Sequence, residues 1–207
     1  MHAKTLIASL FLAASALAAP AELETRQSCS KLQLVFLAGT NEEGLGLAGG
    51  PLSTSLSSAV SGTTTYSVPY DTRAEYSSTI KAGATLVTNY ITSQAARCPN
   101  QVFALGGYSK GAMVIHSTSL SSTLKAKVKA IVVFGDPYRR SSSAWPINSP
   151  VVNSNPRSGS TASQNVASFC NSGDLFCDGG LSVPAHLAYG TDGSTGVAAT
   201  FIKNKVA

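Results

Sequence analysis

The chain has 207 residues, of which 43% are hydrophobic and only 12% are charged. A charged share so far below the usual value of about 25% excludes a disordered chain and a charged coiled coil, and the length favours one domain with a single core. The formal net charge is +5, but the basic residues are dispersed and are not interleaved with aromatic residues, so a nucleic-acid partner is not expected.

The N-terminus has the pattern of an export signal. His2 and Lys4 precede the apolar stretch 6–17, and small residues follow it. This stretch is too short to span a membrane, which takes about 20 apolar residues. We therefore expect a signal peptide at 1–18, a propeptide at 19–26, and a secreted domain at 27–207 without an integral membrane segment.

Apolar runs of strand length alternate with longer helical stretches through the rest of the chain. The predicted strands are 31–38, 101–105, 128–134 and 166–170, and the predicted helices are 73–97, 111–124 and 196–203. Strands that alternate with helices predict a parallel sheet covered by helices on both faces. The polar segment 141–165 is predicted to be a long surface excursion within the same domain.

Four cysteines in an exported chain predict two disulfide bonds, and three pairings are open. Spacing favours Cys170 with Cys177, which closes a short loop, and Cys29 with Cys98, which ties the N-terminus to the end of the long helix. No Cys-x-x-Cys motif occurs and two histidines follow residue 26. A metal site is therefore not expected, and the predicted chemistry below needs no organic cofactor.

A G-x-S-x-G motif, GYSKG at 107–111, lies between a predicted strand and a predicted helix. This context is typical of a nucleophile elbow, in which a strained turn presents the serine above the sheet at a helix N-terminus. Ser109 is therefore the predicted nucleophile. The letters alone are weak evidence, because a glycine-bordered turn with an idle serine has the same motif.

A serine hydroxyl needs a base, and the base needs an acid that holds its tautomer. His116 lies about 10 Å along the same helix from Ser109 and cannot reach back to the hydroxyl, so its expected role is structural. His186 follows the last predicted strand on a segment that can fold over the edge of the sheet. By elimination, His186 is the predicted base.

Three aspartates are candidates for the acid. Asp174 is favoured because it lies inside the short loop that two cysteines close, which would hold its carboxylate in place. Two alternatives stay open. One is Asp178, and the other is Asp136, which ends the strand that comes after the helix of the nucleophile. The order serine, aspartate, histidine is that of the α/β-hydrolases.

Acyl transfer also needs donors for the oxyanion. The backbone N–H of Lys110 supplies one by its place after the nucleophile, and Thr40, at the end of the first strand, can offer its N–H and its hydroxyl or can simply cap that turn. Four hydrophobic residues flank the acid and the base, and they are expected either to form a rim that holds an acyl chain or to be buried in packing their loop: Leu175, Leu181, Val183 and Leu187.

At several segments the sequence resembles the cutinase family of fungal secreted serine esterases: 38–44 (AGTNEEG), 107–111 (GYSKG), 134–137 (FGDP), 170–177 (CNSGDLFC) and 186–189 (HLAY). The resemblance runs from about residue 29 to the C-terminus. It implies a three-layer α/β-hydrolase fold with a central, mostly parallel five-stranded sheet and no full lid.

The resemblance also implies specific roles for residues of this chain. Ser109, Asp174 and His186 would be nucleophile, acid and base, Thr40 and Lys110 would form the oxyanion hole, and the same two disulfides would form. Lys110 stands where many members carry Gln, and Thr40 where Ser is common, but neither change removes a backbone donor. The segment 141–165 is longer and more polar than the family's usual connection.

The sequence therefore predicts a secreted, monomeric carboxylic-ester hydrolase that cleaves cutin-type polyesters and short-to-medium-chain esters, at a polymer or lipid-like surface, through an acyl-enzyme intermediate. Because the base must be neutral and a free imidazole has a pKa of about 6.5, activity is expected to fall in acid. The alternatives are an acetylxylan esterase and, from another class, a non-catalytic secreted elicitor or binding protein.

Overall fold

A computed structural model describes residues 28–141 and 144–206 of the chain. The predicted signal peptide at 1–18 and propeptide at 19–26 lie outside the described residues. The elements in chain order are β1 (Leu32–Leu37), α1 (Gly46–Ala59), β2 (Thr64–Ser67), α2 (Ser77–Arg97), β3 (Val102–Tyr108), α3 (Lys110–Ser117), α4 (Ser122–Lys127), β4 (Val128–Phe134), β5 (Val152–Asn153), a 3-10 turn (Pro156–Ser158), β6 (Val166–Phe169), α5 (Val183–Leu187) and α6 (Ser194–Val206).

The described strands form one sheet in the order β2-β1-β3-β4-β6-β5, and every neighbouring pair is parallel. The predicted sheet type is confirmed, but the predicted number of five strands is wrong, because the sheet has six strands. The strands β2 and β5 lie at the two edges and have no counterpart in the hydrophobic pattern. Both are short and only partly buried, so they lack the apolar run from which the other four were predicted.

Each face of the sheet carries its own hydrophobic core. Val35 and Leu37 of β1 pack with α2 and α3 on one face, while Leu34 and Phe36 pack with α1 and α6 on the other. All residues of β1 are buried, as expected for a strand that is covered on both sides. The molecule is therefore the three-layer arrangement that was predicted, with helices on both faces of the sheet.

The helix predicted at 111–124 is two helices in the structure. The first, α3, ends at Ser117 because Thr118 adopts an extended backbone with φ −75° and ψ 128°. The second, α4, begins after Ser121, whose hydroxyl accepts a hydrogen bond from the backbone N–H of Leu124 at 3.3 Å. A serine that caps a new helix is a polar local signal, which the apolar spacing does not contain.

Other helix boundaries differ less. The predicted helix 73–97 begins at Ser77, and the predicted helix 196–203 is longer at both ends. Helices α1 and α5 were not predicted; glycines, serines and Pro51 interrupt the apolar pattern of α1. None of the helices in the described ranges has the length and hydropathy to cross a membrane.

Two disulfide bonds join the pairs that spacing favoured. Cys29 is bonded to Cys98 at the start of β1 and the end of α2, and Cys170 is bonded to Cys177 after β6. The first bond closes a sequence separation of 69 residues and the second one of 7. The expected pairing is confirmed.

The segment 144–165 runs over the surface, as predicted. Most of its residues are exposed, although Pro146 and Ile147 are buried. It also contributes β5 to the edge of the sheet, so it is partly structured.

Because the strands are parallel, the segments that follow them meet at the same edge of the sheet. The segments after β1, β3, β4 and β6 begin at residues 38, 109, 135 and 170. These four segments contain most of the predicted site residues.

Candidate active site

Ser109 lies in a strained turn between β3 and α3. Its backbone has φ 51° and ψ −114°, and residues other than glycine rarely adopt a positive φ of this size. A Cβ at Gly111 would lie 2.1 Å from the carbonyl oxygen of Leu37, and one at Gly107 would lie 2.8 Å from the backbone of Gly111. The two glycines of the motif are therefore required for helix and strand to approach each other at this turn.

The side chain of Ser109 contacts the predicted base. Its Oγ lies 3.0 Å from Nε2 of His186, and the His186 side chain is 6% exposed. His186 lies on α5, whose N-terminus is capped by the hydroxyl of Ser182, which accepts from the N–H of Ala185 at 3.1 Å. A Cβ at Gly135 would lie 2.6 Å from Cε1 of His186, so the ring occupies space that only a glycine leaves open.

The other ring nitrogen of His186 faces Asp174. Nδ1 lies 2.8 Å from Oδ2 of this carboxylate, which is fully buried. Because a carboxylate accepts, Nδ1 of His186 donates, and in the neutral ring Nε2 is left to accept the proton of the Ser109 hydroxyl. The arrangement is thus an acid, a base and a hydroxyl joined in one chain of hydrogen bonds.

Asp174 is surrounded by donors. Its Oδ1 accepts from the backbone N–H groups of Phe176 at 2.7 Å and Cys177 at 3.2 Å, and its Oδ2 also accepts from the hydroxyl of Tyr189 at 2.6 Å. Burial raises the pKa of Asp174, but the hydrogen bonds from Tyr189, His186 and the two backbone groups outweigh burial and hold this pKa below its usual range. Asp174 is therefore held as the anion.

The alternative acids lie elsewhere. Asp136 pairs with the other buried histidine, His116, whose Nε2 lies 2.9 Å from Oδ2. Asp178 accepts from the backbone N–H of Gly173 at 2.7 Å, and its side chain is 44% exposed. Of the three candidate aspartates, Asp174 is the one that contacts His186.

The turn after β1 carries Thr40 beside Ser109 in the wall of a cavity. The Thr40 hydroxyl lies 3.1 Å from the hydroxyl of Tyr76. Glu42, which also lines this cavity, holds the turn in place, because its carboxylate accepts from the N–H of Gly39 at 2.6 Å and of Leu47 at 2.9 Å. Glu42 was not predicted, although it lies within the AGTNEEG segment.

The side chain of Lys110 is buried and does not extend into solvent. Its ammonium donates to the backbone carbonyl oxygens of Asp71 at 2.9 Å, Glu75 at 3.0 Å and Arg73. Burial lowers the pKa of Lys110, although the carboxylates of Asp71 and Glu75 oppose this effect. The ammonium of Lys110 is thus bound to the 71–75 loop. The predicted oxyanion donor is a different group, the backbone N–H of the same residue.

A cavity of about 620 Å³ opens above Ser109. Val183 and Leu187 line it, whereas Leu175 and Leu181 are not among its lining residues. All four of these side chains are exposed, Leu181 by 93%, so the alternative that they are buried in packing their loop is wrong. The lining also includes mostly apolar side chains that were not predicted: Tyr76, Tyr108, Met113, Pro137 and Phe176.

The structure thus brings Ser109, His186, Asp174, Thr40 and the start of α3 together at one edge of the sheet. Tyr189 is a further buried member that the sequence analysis did not single out, although it closes the HLAY segment. In the described part of the chain, no group of three or more histidine, cysteine or acidic side chains is arranged so that it could hold a metal ion.

Comparison with known proteins gives matches over almost the whole described chain. The family model described as Cutinase matches residues 28–206. A cutinase of Coprinopsis cinerea is 37% identical over 203 residues, which cover 91% of this chain and 92% of that protein. A cutinase of Botryotinia fuckeliana is 31% identical over 210 residues, which cover 97% and 96%. The solved structure of Trichoderma reesei cutinase with a phosphonate inhibitor matches with a TM-score of 0.70 at 30% identity, over 86% of this chain and 78% of that one.

Proposed function

This chain belongs to the cutinase family, and from that premise we propose that it is a secreted hydrolase of cutin-type polyesters and of short-to-medium-chain esters. As a member of this family it is a serine ester hydrolase. The observation that carries the finer proposal is the chain of hydrogen bonds from Asp174 through His186 to Ser109, which ends at an apolar cavity of about 620 Å³.

In the proposed mechanism, Ser109 Oγ attacks the ester carbonyl carbon while Nε2 of His186 takes the hydroxyl proton. The anion of Asp174 stabilises the imidazolium that forms and keeps the ring oriented. His186 then gives the proton to the leaving alcohol oxygen as the carbon–oxygen bond of the ester breaks, which leaves the acyl group on Ser109. Water then attacks the acyl carbon while His186 takes one of its protons. The bond between the acyl carbon and Ser109 Oγ breaks, His186 returns the proton to Oγ, and the carboxylic acid leaves.

The oxyanion of each tetrahedral intermediate is proposed to accept hydrogen bonds from the backbone N–H of Lys110 and from the N–H and hydroxyl of Thr40. Support comes from the position of Lys110 at the first turn of α3, where the helix dipole favours negative charge, and of Thr40 in the cavity wall. Loss of one such donor lowers turnover by a factor of about 100 to 1,000 in other enzymes.

The cavity supports an acyl chain as the group that it binds. Met113, Phe176, Val183 and Leu187 present apolar surface around Ser109, and the last three are exposed to solvent. An acyl chain of a few carbons would cover this surface, which favours its binding by the hydrophobic effect.

The test is the rate of hydrolysis of p-nitrophenyl esters from acetyl to palmitoyl and of a polyester film. We expect a maximum at butyrate to hexanoate that disappears in Ser109→Ala, while Ser117→Ala, at the exposed end of the same helix, keeps the full rate. A rate confined to acetate would move the assignment to an acetylxylan esterase. Equal rates in the wild type and in Ser109→Ala would show that Ser109 is not the nucleophile and would favour the alternative of a non-catalytic secreted protein.

Secretion and processing form a separate part of the proposal. The two disulfides are typical of an extracellular protein, and we propose a signal peptide at 1–18 and a propeptide at 19–26. N-terminal sequencing of the protein from culture medium is expected to begin at Gln27, and a sequence that begins at Met1 would contradict this. Light scattering is expected to give the mass of one mature chain.

A further inference from the structure

Tyr189 makes a contact that the mechanism above does not use. Its side chain is fully buried, three residues beyond His186 in the chain. Its hydroxyl lies 2.6 Å from Oδ2 of Asp174, which is the same oxygen that accepts from Nδ1 of His186 at 2.8 Å. Two donors therefore share one oxygen of the acid.

The direction of this hydrogen bond follows from the groups around the hydroxyl. The backbone N–H of Asn171 donates to the hydroxyl oxygen of Tyr189 at 2.9 Å. A phenol has one proton, and the carboxylate of Asp174 and the disulfide sulfur of Cys177, 3.3 Å away, can only accept it. The carboxylate is the closer and stronger acceptor, so the hydroxyl donates to Asp174. Burial, followed by the hydrogen bond to Asp174, raises the pKa of Tyr189 far above its usual range, so the hydroxyl keeps its proton.

All four positions around the carboxylate of Asp174 are occupied by donors. Oδ1 accepts from two backbone N–H groups, and Oδ2 accepts from His186 and Tyr189. The negative charge on Oδ2 is what stabilises the imidazolium of His186, and a second hydrogen bond to this oxygen draws on the same charge, so each donor is attracted less than it would be alone. The phenol therefore reduces the tendency of His186 to hold a second proton.

We propose that Tyr189 is a positioning residue that sets the pH range of the esterase, because it competes with His186 for Oδ2 of Asp174. The proposal rests on the proposed function of Ser109, His186 and Asp174. It assigns to the tyrosine hydroxyl an effect on the base that a purely structural contact would not have.

The other titratable and charged groups around this site do not contact Oδ2. Tyr108 packs against the ring of His186 with 5.1 Å between ring centroids, but its hydroxyl donates to the backbone carbonyl of His186 at 2.9 Å. Four further charged groups lie near Tyr108, Tyr189 or the loop of Asp174: Glu42, Arg157, Asp178 and Asp192. The variants described next leave all four unchanged.

The first experiment compares the wild type with Tyr189→Phe, which removes the hydroxyl and keeps the ring. The dependence of kcat/KM on pH is measured with p-nitrophenyl butyrate. We expect the midpoint of the acid limb to move to higher pH by about 0.5 to 1 unit, because Oδ2 then acts on His186 alone. KM is expected to stay unchanged, since Tyr189 is not in the cavity wall, and the plateau is expected to change by less than about tenfold.

A matched control removes a tyrosine hydroxyl elsewhere. Tyr90 donates to the side chain of Gln33 at 3.0 Å, near the start of β1, whereas the site follows the end of that strand. Tyr90→Phe is expected to lower the melting temperature without moving the acid limb. A shift of equal size in Tyr90→Phe and Tyr189→Phe would overturn the proposal.

A second variant replaces Tyr189, at this position alone, by 3-fluorotyrosine, which keeps the hydroxyl and makes it a stronger donor. Here the acid limb is expected to move to lower pH, opposite in sign to Tyr189→Phe. This variant carries the test if Tyr189→Phe does not fold. An unmoved limb in an active variant, or shifts of the same sign in both, overturns the proposal, whereas hydrolysis that does not depend on Ser109 in the wild type overturns the proposed function instead.

Discussion

Two buried aspartate–histidine pairs lie at the same edge of the sheet. In one, Asp174 Oδ2 is 2.8 Å from Nδ1 of His186, and in the other, Asp136 Oδ2 is 2.9 Å from Nε2 of His116. Both carboxylates are fully buried, and both histidines are nearly so. The pairs differ in what faces the second ring nitrogen, which is the hydroxyl of Ser109 at 3.0 Å for His186 and a backbone carbonyl at 3.0 Å for His116.

This difference decides what each histidine can do. A hydroxyl can donate, so His186 can present a lone pair to Ser109 and take its proton. The carbonyl of Ala144 only accepts, so His116 must donate to it while its other nitrogen faces a carboxylate. Both ring nitrogens of His116 are thus already used in these contacts, and neither is free to take a proton from a hydroxyl. Trp145 also covers the His116 ring, with 3.9 Å between ring centroids.

The largest difference between the two pairs is expected when each histidine is replaced by glutamine. His186→Gln is expected to lower kcat by at least about 10,000-fold, because the base is lost. His116→Gln is expected to keep kcat within about threefold, but to lower the free energy of unfolding by about 3 kcal/mol, since the buried carboxylate of Asp136 loses its hydrogen bond with the imidazole. Ester hydrolysis and urea unfolding are measured on the same preparations.

One outcome would contradict these different roles for the two histidines. If folded His116→Gln loses activity as severely as His186→Gln, then the pair with Asp136 belongs to the reaction. Melting curves of both variants are the control, because they separate a loss of folded protein from a loss of catalysis.

A second test concerns how each aspartate is held. Asp174 lies in the loop that Cys170 and Cys177 close, whereas Asp136 follows β4 directly. Replacing both of these cysteines by serine is expected to lower the free energy of unfolding by about 2.5 kcal/mol in the loop-entropy model and to lower kcat, because the loop then holds the carboxylate less firmly.

The other disulfide is the matched control for that test. It closes a separation of 69 residues, so replacing Cys29 and Cys98 by serine is expected to cost about 4.4 kcal/mol. At a temperature at which both variants are folded, we expect the more stable variant to be the less active one. Equal activity in the two would show that the short bridge does not position Asp174.

The two pairs also show what the sequence could predict. Ser109 and His186 followed from a local motif and from elimination between two histidines, and the four buried strands followed from their apolar runs. The contact of His116 with Asp136 was beyond reach, because it joins α3 to the end of β4 over 20 residues. The edge strands β2 and β5 and the bond from Tyr189 to Asp174 depend in the same way on tertiary packing, which no local pattern contains.

A smaller effect is expected at the apolar wall beside His186, the side of the ring that is open to the cavity. Leu187 lines the cavity beside His186, whereas Leu181 is 93% exposed and does not line it. Leu187→Ala is expected to raise KM for p-nitrophenyl hexanoate by about three- to tenfold, since about 1 kcal/mol of apolar contact is lost, and to raise it less for the acetate. Leu181→Ala is expected to leave both unchanged, and an equal effect of the two variants would place the acyl chain outside the cavity.

The smallest expected effect is on stability in acid. The pKa of Asp174 is lower in the folded protein than its ordinary value because its hydrogen bonds outweigh burial. Its ionised form therefore stabilises the folded state at pH above about 4, and this contribution is lost as the pH falls through the lower folded pKa. The free energy of unfolding from urea titrations is expected to fall more steeply between about pH 5 and pH 2 in the wild type than in Asp174→Asn, which cannot titrate at this position. Asp178→Asn, at the exposed end of the same loop, should follow the wild type, and parallel curves for the wild type and Asp174→Asn would mean that the donors around this carboxylate do not favour its anion.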